Sequence, residues 1–176
     1  SYRLYTLVSG QTRNGKITFE QYIQAAGFDS ILQAANRHLL PMSDNQFQLY
    51  RQTNAVGKQT NTFLDLEVLD ISTGKRRPVG NLSGGESFKA SLSLALGLSD
   101  TIAENRGGIQ MDALFVDEGF GTLDSKSLEE TKDALLSMSG ENKLVGIISH
   151  RDELMDIPQK LRVTKGRGGS RIQMEL

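Results

Sequence analysis

Two short apolar runs in the second half of the chain each end in polar residues. Ala113–Val116 precedes Asp117 and Glu118, and Leu144–Ile148 precedes a serine and His150. Runs of this length and composition predict buried strands. Because the carboxyl ends of parallel strands meet at one edge of a sheet, where open α/β folds bind ligands, we expect Glu118 and His150 to lie close together.

The polar residues at these two strand ends are suited to phosphate chemistry. Asp117 can hold Mg²⁺ directly or through water. Glu118 can orient and partly deprotonate an attacking water, which is typically worth ~10²–10⁴ in rate. His150 can hydrogen-bond a γ-phosphate or the water. The alternative is a strand end with two solvated acids and a structural histidine.

A glycine pair opens the longest predicted helix. In Leu82-Ser83-Gly84-Gly85-Glu86, Ser83 and Glu86 have the spacing of a helix capping box. The two glycines also bare the backbone amides of a helix N-terminus, which attracts anions and would suit a γ-phosphate, with the Ser83 hydroxyl as a further donor. The sequence leaves both interpretations open.

Two glycine-containing segments remain. Gly119–Asp124 joins Glu118 to the next helix, for which Asp124 is a predicted N-cap, and its glycines indicate a tight, exposed path suited to a contact between subunits. Gly10–Lys16 has the spacing of a phosphate loop, but Ile17 stands where a serine or threonine should hold magnesium. We interpret that match as a coincidence.

The rest of the chain carries ordinary helix and strand patterns. Helices are predicted over 18–27, 30–39, 86–104 and 125–137. The first begins with a Thr18–Gln21 capping box and stops at Gly27, and Pro41 lies beyond the second. Strands are predicted over 47–51 and 63–68, followed by a turn at 72–74, a basic loop at 75–78 and, at the C-terminal end, a hairpin around 161–163 and 172–176. The change of pattern near Pro78 predicts a subdomain seam.

Composition excludes several classes of protein. The chain has 176 residues, enough for one domain, and it lacks cysteine, which excludes disulfides and thiolate metal sites and favours the cytosol. No apolar run has the length that spans a bilayer, and the first residues lack a secretory pattern. The net charge is -1, so DNA contacts would need local patches. Two basic segments are candidates for such patches, and each is either a solvated loop or a set of phosphate contacts. Their residues are Lys75, Arg76, Arg77, Lys160, Arg162, Lys165 and Arg167.

Three strings together carry a resemblance to a known family. Residues 82–86, 115–124 and 149–151, and more loosely 34–39, resemble the C-terminal head segment of an ABC-type ATPase. More narrowly, they resemble the SbcC family, large coiled-coil ATPase subunits of a DNA double-strand-break nuclease complex that are related to SMC proteins. The resemblance implies an α/β fold, the C-terminal half of a P-loop NTPase head with a mixed sheet and flanking helices. Within 1–176, it places coil-proximal helices and a β hairpin region in 1–78 and the functional motifs in 79–176.

The resemblance also implies a role for each motif. Ser83, Gly84 and Gly85 would belong to the signature motif, which caps ATP bound to the opposite subunit, and Asp124 to the D-loop across the dimer interface. Asp117 would be the Walker B magnesium residue, Glu118 the catalytic glutamate and His150 the switch histidine. The implied cofactors are ATP and Mg²⁺.

The implied function is that of half an ATP-hydrolysing head in DNA double-strand-break processing and repair, in the cytoplasm. ATP sandwiched between two heads would drive dimerisation and the gating of DNA and nuclease. The implied partners are the chain's own N-terminal Walker A segment, a second copy, an SbcD-type nuclease subunit and DNA, and the fragment alone would be inactive. The alternatives are another SMC-like DNA-clamp ATPase, a non-catalytic dimerisation module, or a self-contained phosphohydrolase that uses Gly10–Lys16.

Overall fold

The computed structural model describes residues 19–52, 65–105, 113–139 and 144–175, starting with one long helix. Helix α1 spans Phe19–Met42, so the prediction of two helices separated at Gly27 is wrong. A Cβ atom on Gly27 would meet nothing within 4 Å, and an interior glycine costs a helix only about 1 kcal/mol relative to alanine. Thr18 of the predicted capping box and Gly10–Lys16 lie outside the described residues.

Helix α1 ends through two residues in the left-handed region. Pro41 lies inside its last turn rather than beyond it. Asp44 and Asn45 follow with φ of 51° and 58°, a conformation that Asp and Asn tolerate better than other non-glycine residues. The Asn45 N–H donates to the Leu40 carbonyl oxygen at 2.7 Å, which satisfies one of the last carbonyls of the helix.

An antiparallel sheet follows, in the order β1-β2-β3. Its strands are β1 (Phe47–Arg51), β2 (Leu66–Asp70) and β3 (Lys75–Pro78). The predicted first strand and the turn before Lys75 are confirmed, whereas Phe63 and Leu64 lie outside the described residues. The prediction of a basic loop at 75–78 is wrong, because the turn brings this segment back against β2, with Arg77 opposite Val68.

Helix α2 spans Gly84–Asn105 and packs closely on α1. A Cβ on Gly97 would lie 2.4 Å from the backbone nitrogen of Ala35, so the two helix backbones touch at this point. Leu96 and Ser93 are fully buried. The predicted helix is therefore confirmed, with its start two residues earlier.

The predicted strand–helix–strand unit is confirmed. Strand β4 (Ala113–Asp117), helix α3 (Ser125–Met138) and strand β5 (Leu144–Ile148) form a parallel pair with its crossover helix. The expectation that both strands are buried is wrong. Leu114, Val116, Val145 and Ile147 pack against the core, but the alternate residues Phe115, Leu144 and Ile148 are 65%, 60% and 53% exposed. Among the described residues, one face of this sheet is uncovered.

The predicted C-terminal hairpin is also confirmed, as β6 (Lys160–Gly166) and β7 (Gly169–Glu175). Its apolar side chains Leu161, Val163, Ile172 and Met174 are all exposed. Parallel and antiparallel pairing both occur in the described part of the chain, but in three separate sheets. None of the helices described by the structure has the length and apolarity that a membrane crossing requires.

Two apolar clusters form the core, and α2 contributes to both. One lies between α1, α2 and the antiparallel sheet and contains Leu32, Leu39, Leu49, Val68 and Ala90. The other lies under β4, β5 and α3 and contains Met42, Leu92, Leu96, Val116, Phe120, Leu123, Leu128, Leu135 and Leu154. Helix α2 therefore connects the antiparallel sheet to the edge of the parallel sheet, next to which Glu118 and His150 lie.

Candidate active site

Glu118 and His150 lie side by side, as the two strands predict. In the parallel register Asp117 is opposite Ile148, and the Glu118 N–H donates to the Ile148 carbonyl oxygen at 2.9 Å, one residue beyond the strand. The His150 Nδ1 atom is 3.2 Å from the Glu118 carboxylate. Both side chains are exposed, Glu118 to 51% and His150 to 80%, so a ligand can reach the pair.

The backbone at Glu118 holds an uncommon conformation. Glu118 has φ of 56° and Gly119 has φ of 91°, and a positive φ is unfavourable for a non-glycine residue. The next residue, Phe120, is fully buried and packs edge-on against Phe88 of α2, with ring centroids 5.0 Å apart. Residues 118–123, hereafter the glutamate loop, are therefore anchored in the core. The sequence indicated an exposed path, which holds for Gly121 but not for Phe120.

Asp117 ends strand β4 with an exposed side chain. Across residues 19–52, 65–105, 113–139 and 144–175, no three His, Asp or Glu side chains form a metal-holding group. Mg²⁺ commonly keeps several waters and takes one or two carboxylates together with substrate phosphates. A single exposed carboxylate at a strand end, with Glu118 beside it, is therefore compatible with a partial magnesium shell.

The predicted capping box at the start of α2 is present. The Ser83 N–H donates to Glu86 Oε2 at 2.7 Å, and the Glu86 N–H donates to Ser83 Oγ at 3.3 Å. The box engages the residues on either side of Gly84 and Gly85. The two glycines therefore supply the first N–H groups of the helix, which attract anions. The cap and an anion site can coexist here.

The same glycines allow the glutamate loop to approach the helix. A Cβ on Gly84 would lie 3.2 Å from Thr122 Cγ2, and one on Gly85 would lie 3.1 Å from the Thr122 carbonyl oxygen. Gly84 and Gly85 are therefore in contact with the loop that leads to Asp124. No local pattern indicates this contact with Thr122, because Thr122 lies almost forty residues beyond the glycine pair; the pair suggested an anion site rather than close packing.

Asp124 caps helix α3 as predicted. Its side chain accepts a hydrogen bond from the Ser127 N–H at 2.7 Å. That backbone hydrogen bond holds the pKa of Asp124 below its ordinary value. Asp124 is thus ionised at neutral pH at the start of α3; its role as a D-loop residue stays a prediction.

A cavity of about 360 Å³ lies between the end of α1, the start of α2 and the start of α3, away from Glu118 and His150. Its lining includes Asp44, Ser83, Gly84, Lys89, Asp124 and Lys126. Lys89, with a side chain 9% exposed, donates to Ser127 Oγ at 2.9 Å and to Glu130 at 3.2 Å. No sequence pattern marked this lysine, since its partners lie far along the chain.

The predicted site residues thus form two groups. Asp117, Glu118 and His150 share the edge of the parallel sheet. Ser83, Gly84, Gly85 and Asp124 line the cavity. The glutamate loop connects the two groups. The basic residues Lys160 and Arg162 pair with Glu175 at 3.4 Å and 2.8 Å, so these two of the suggested phosphate contacts already have an acidic neighbour.

Sequence comparisons support the expected resemblance. Residues 55–136 match the family model described as SbcC/RAD50-like, Walker B motif. Over 163 residues, 92% of this chain, it is 42% identical to the SbcC subunit of the SbcCD nuclease from Staphylococcus aureus strains JH9, Newman and COL. The chain spans 16% of the length of these curated relatives.

Solved structures show the same fold. A chain from work on ATP-driven dimerisation and DNA-stimulated activation of SMC ATPases aligns with a TM-score of 0.67 at 15% identity, covering 88% of each chain. The SMC head domain from Thermotoga maritima aligns with a TM-score of 0.57 at 17% identity, over 88% of this chain and 51% of that one. The predicted fold class, part of an ATPase head of the P-loop NTPase type, is confirmed.

Proposed function

We propose that this chain, which belongs to the SbcC/RAD50-like family by these matches, is the C-terminal half of an ATP-hydrolysing head. The head would be part of an SbcC-like subunit that processes DNA double-strand breaks. The observation that carries the proposal is the pair of Glu118 and His150, 3.2 Å apart and exposed at the carboxyl edge of a parallel sheet. Asp117 is the last residue of strand β4 and directly precedes Glu118.

Each residue of this group has a distinct task in the proposed reaction. Glu118 orients the attacking water and accepts its proton, a general-base role. His150 donates to a γ-phosphate oxygen or to the water and, through its contact with Glu118, keeps the carboxylate in place. Asp117 would hold Mg²⁺, and a bound Mg²⁺ would neutralise part of the negative charge on the phosphates.

The second group serves another nucleotide in this proposal. Ser83 and the amides of Gly84 and Gly85 would contact the γ-phosphate of ATP carried by a second copy, with Asp124 at the interface between the copies. Support comes from their position around a cavity separate from the Glu118 and His150 pair. A head that contributes to two nucleotides at different surfaces is active only as a dimer.

The uncovered apolar faces support the need for an N-terminal half. Phe115, Leu144 and Ile148 of the parallel sheet are each more than half exposed, and the hairpin of β6 and β7 exposes four further apolar side chains. Contiguous exposed apolar surface marks an interaction site. We propose that the N-terminal Walker A segment covers these faces and brings the phosphate-binding loop to Glu118.

Further partners and the location are proposed from the relatives. The name of the Staphylococcus relatives is that of one subunit of a two-part nuclease, so an SbcD-type nuclease subunit and DNA are the proposed partners in the cytoplasm. ATP binding between two heads would bring the copies together and gate access of DNA to the nuclease.

The test is the substitution Glu118→Gln in the full-length protein that carries this segment. We expect ATP turnover to fall by ~10²–10⁴, the usual worth of a general base, while ATP binding is kept. Glu104→Gln is the matched control, because Glu104 is an exposed carboxylate at the far end of α2. Unchanged turnover in Glu118→Gln would support a non-catalytic dimerisation module instead.

A second substitution tests the alternative phosphate loop. We expect Lys16→Ala to leave turnover of the full-length protein unchanged, since the proposed reaction uses the phosphate loop of the N-terminal segment. We also expect the 176-residue chain alone to show no turnover. Turnover by that chain which is lost in Lys16→Ala would favour a self-contained phosphohydrolase.

A further inference from the structure

We infer that Arg77 is a positioning residue for residues 81–86, hereafter the signature loop, and thereby controls the nucleotide site of the second copy. The inference rests on the function proposed above. Arg77 lies on strand β3, and the sequence indicated it only as one of several basic residues in a solvated loop or in contact with phosphate. Its Nη1 donates to the Asn81 carbonyl oxygen at 2.8 Å, and its Nη2 donates to Glu86 Oε1 at 3.0 Å.

One guanidinium therefore holds both ends of the signature loop. Asn81 begins the loop and Glu86 ends it, and the second carboxylate oxygen of Glu86 accepts the Ser83 N–H at 2.7 Å. A continuous chain of hydrogen bonds runs from Arg77 through Glu86 to Ser83. Charge-assisted hydrogen bonds of this kind are about twice as strong as neutral ones, so the position of Ser83 depends on the arginine.

Arg77 is itself held by the antiparallel sheet. Its backbone pairs with Val68 in the centre of that sheet, and its guanidinium lies 5.5 Å from the centroid of the Phe47 ring. The side chain is 31% exposed, and that of Glu86 is 25% exposed, so the contact is partly shielded from water. A lysine cannot reproduce it, because two acceptors in different directions require the planar fork of an arginine.

The neighbouring arginine provides a matched control. Arg76 lies one residue earlier on the same strand, where its guanidinium is 4.5 Å from the centroid of the Tyr50 ring and 3.9 Å from Glu67. It has the same charge, the same strand and the same kinds of contact, but it does not touch the signature loop. Arg76→Ala should therefore leave ATP turnover near the wild-type rate.

The test uses full-length heads combined into dimers of defined composition. In the first dimer, one head carries Arg77→Ala and the other carries Glu118→Gln. In the second, both substitutions are in one head and the other head is wild type. The reference dimer has one wild-type and one Glu118→Gln head. Thermal unfolding of each variant, together with Arg77→Lys and Arg76→Ala, shows whether the heads are folded.

We expect the first dimer to hydrolyse ATP like the reference, because its intact Glu118 works opposite an intact signature loop. The second should fall by about tenfold or more, since its remaining Glu118 works opposite the loosened loop. Arg77→Lys should lose less than Arg77→Ala, with ATP binding to single heads unchanged. The reverse pattern, equal losses in both dimers, or equal effects of Arg77→Ala and Arg76→Ala would overturn the inference.

Failure of the proposed function gives a different result. In that case, Glu118→Gln in both heads would leave ATP turnover at the wild-type rate, with either arginine or alanine at position 77. Loss of turnover in Glu118→Gln together with an inert Arg77→Ala would refute only the role of Arg77.

Discussion

The ring of Phe88 occupies the space where a side chain at Gly119 would begin. A Cβ on Gly119 would lie 2.3 Å from Phe88 Cε2. Phe88 is on helix α2, which begins at Gly84, and Gly119 directly follows Glu118. The helix that would contact the second copy's nucleotide therefore packs against the loop that presents Glu118, the proposed catalytic residue.

Gly119→Ala is predicted to disturb this contact. The substitution adds a methyl group against an aromatic ring at φ of 91°, so we expect a loss of about 1–3 kcal/mol in the free energy of unfolding. Turnover of the full-length protein should fall, because Glu118 moves with its neighbour. Denaturant unfolding and steady-state ATPase assays measure the two effects.

Gly121→Ala is the control for that prediction. A Cβ there would meet nothing within 4 Å, so stability should change by less than about 0.5 kcal/mol. If Gly119→Ala and Gly121→Ala behaved alike, Phe88 would not constrain the glutamate loop.

Two helix glycines should respond in opposite directions to alanine. At Gly97 the new Cβ would lie 2.4 Å from Ala35 N and 2.7 Å from the Ile31 carbonyl oxygen. Backbone atoms cannot move aside as a flexible side chain can. We therefore expect Gly97→Ala to lower the free energy of unfolding by about 3 kcal/mol or more. At Gly27 the space is open, and alanine should stabilise α1 by up to about 1 kcal/mol.

Urea unfolding of the two variants measures this difference. A stable Gly97→Ala variant would mean that α1 and α2 do not touch as described. A destabilised Gly27→Ala variant would mean that α1 is interrupted at that position, as the sequence alone suggested.

The signature loop should respond to acid through Glu86. Burial alone raises the pKa of Glu86, but hydrogen bonds from the Ser83 N–H and the Arg77 guanidinium outweigh it and hold the pKa below its ordinary value. A lowered folded-state pKa means that the stabilisation is complete above the unfolded pKa, about 4.3 for glutamate. It is lost as the pH falls through the lower folded value.

Comparison of wild type with Glu86→Gln over pH measures this contribution. We expect a difference in the free energy of unfolding that is constant near neutral pH and shrinks in acid, below the ordinary glutamate pKa. Glu104→Gln, far from the signature loop, is the control. A difference that grew in acid would contradict the direction of the pKa shift.

The two histidines should separate stability from chemistry. His150 is 80% exposed, so His150→Ala should change the free energy of unfolding by less than about 0.5 kcal/mol while lowering ATP turnover in the full-length protein. His38 is 19% exposed, with Nε2 2.7 Å from Asp100 Oδ2 between α1 and α2. His38→Ala should therefore cost about 1–2 kcal/mol.

Turnover is the measurement that distinguishes them. After allowance for unfolded protein, His38→Ala should keep the wild-type rate. Equal turnover in wild type and His150→Ala would remove the histidine from the proposed reaction.

Sequence patterns predicted most of the edge at Glu118 and His150. The two apolar runs, the helix between them and the polar residues at their ends are local signals, and parallel pairing then brings the two ends together. The capping box at Ser83 and the N-cap at Asp124 were likewise predictable, because each needs partners only three residues away. The functional roles of these residues stay predictions.

Other features depend on contacts between distant parts of the chain. Helix α1 continues through Gly27 although local propensity favours a stop there, and residues 75–78 form a strand because β2 lies beside them. The exposure of Phe115 reflects which elements cover the sheet, which strand composition does not reveal.

Local periodicity was therefore enough to predict these helices and strands and the residue types at their ends. The side chains that hold those residues in place come from distant parts of the chain and are seen only in the fold: Arg77 beside the signature loop, Phe88 against Gly119 and Lys89 beside Glu130. The two kinds of interaction differ in how far along the chain they act. Periodicity and capping act within a few residues, whereas packing and bidentate hydrogen bonds join segments whose separation along the chain carries no pattern.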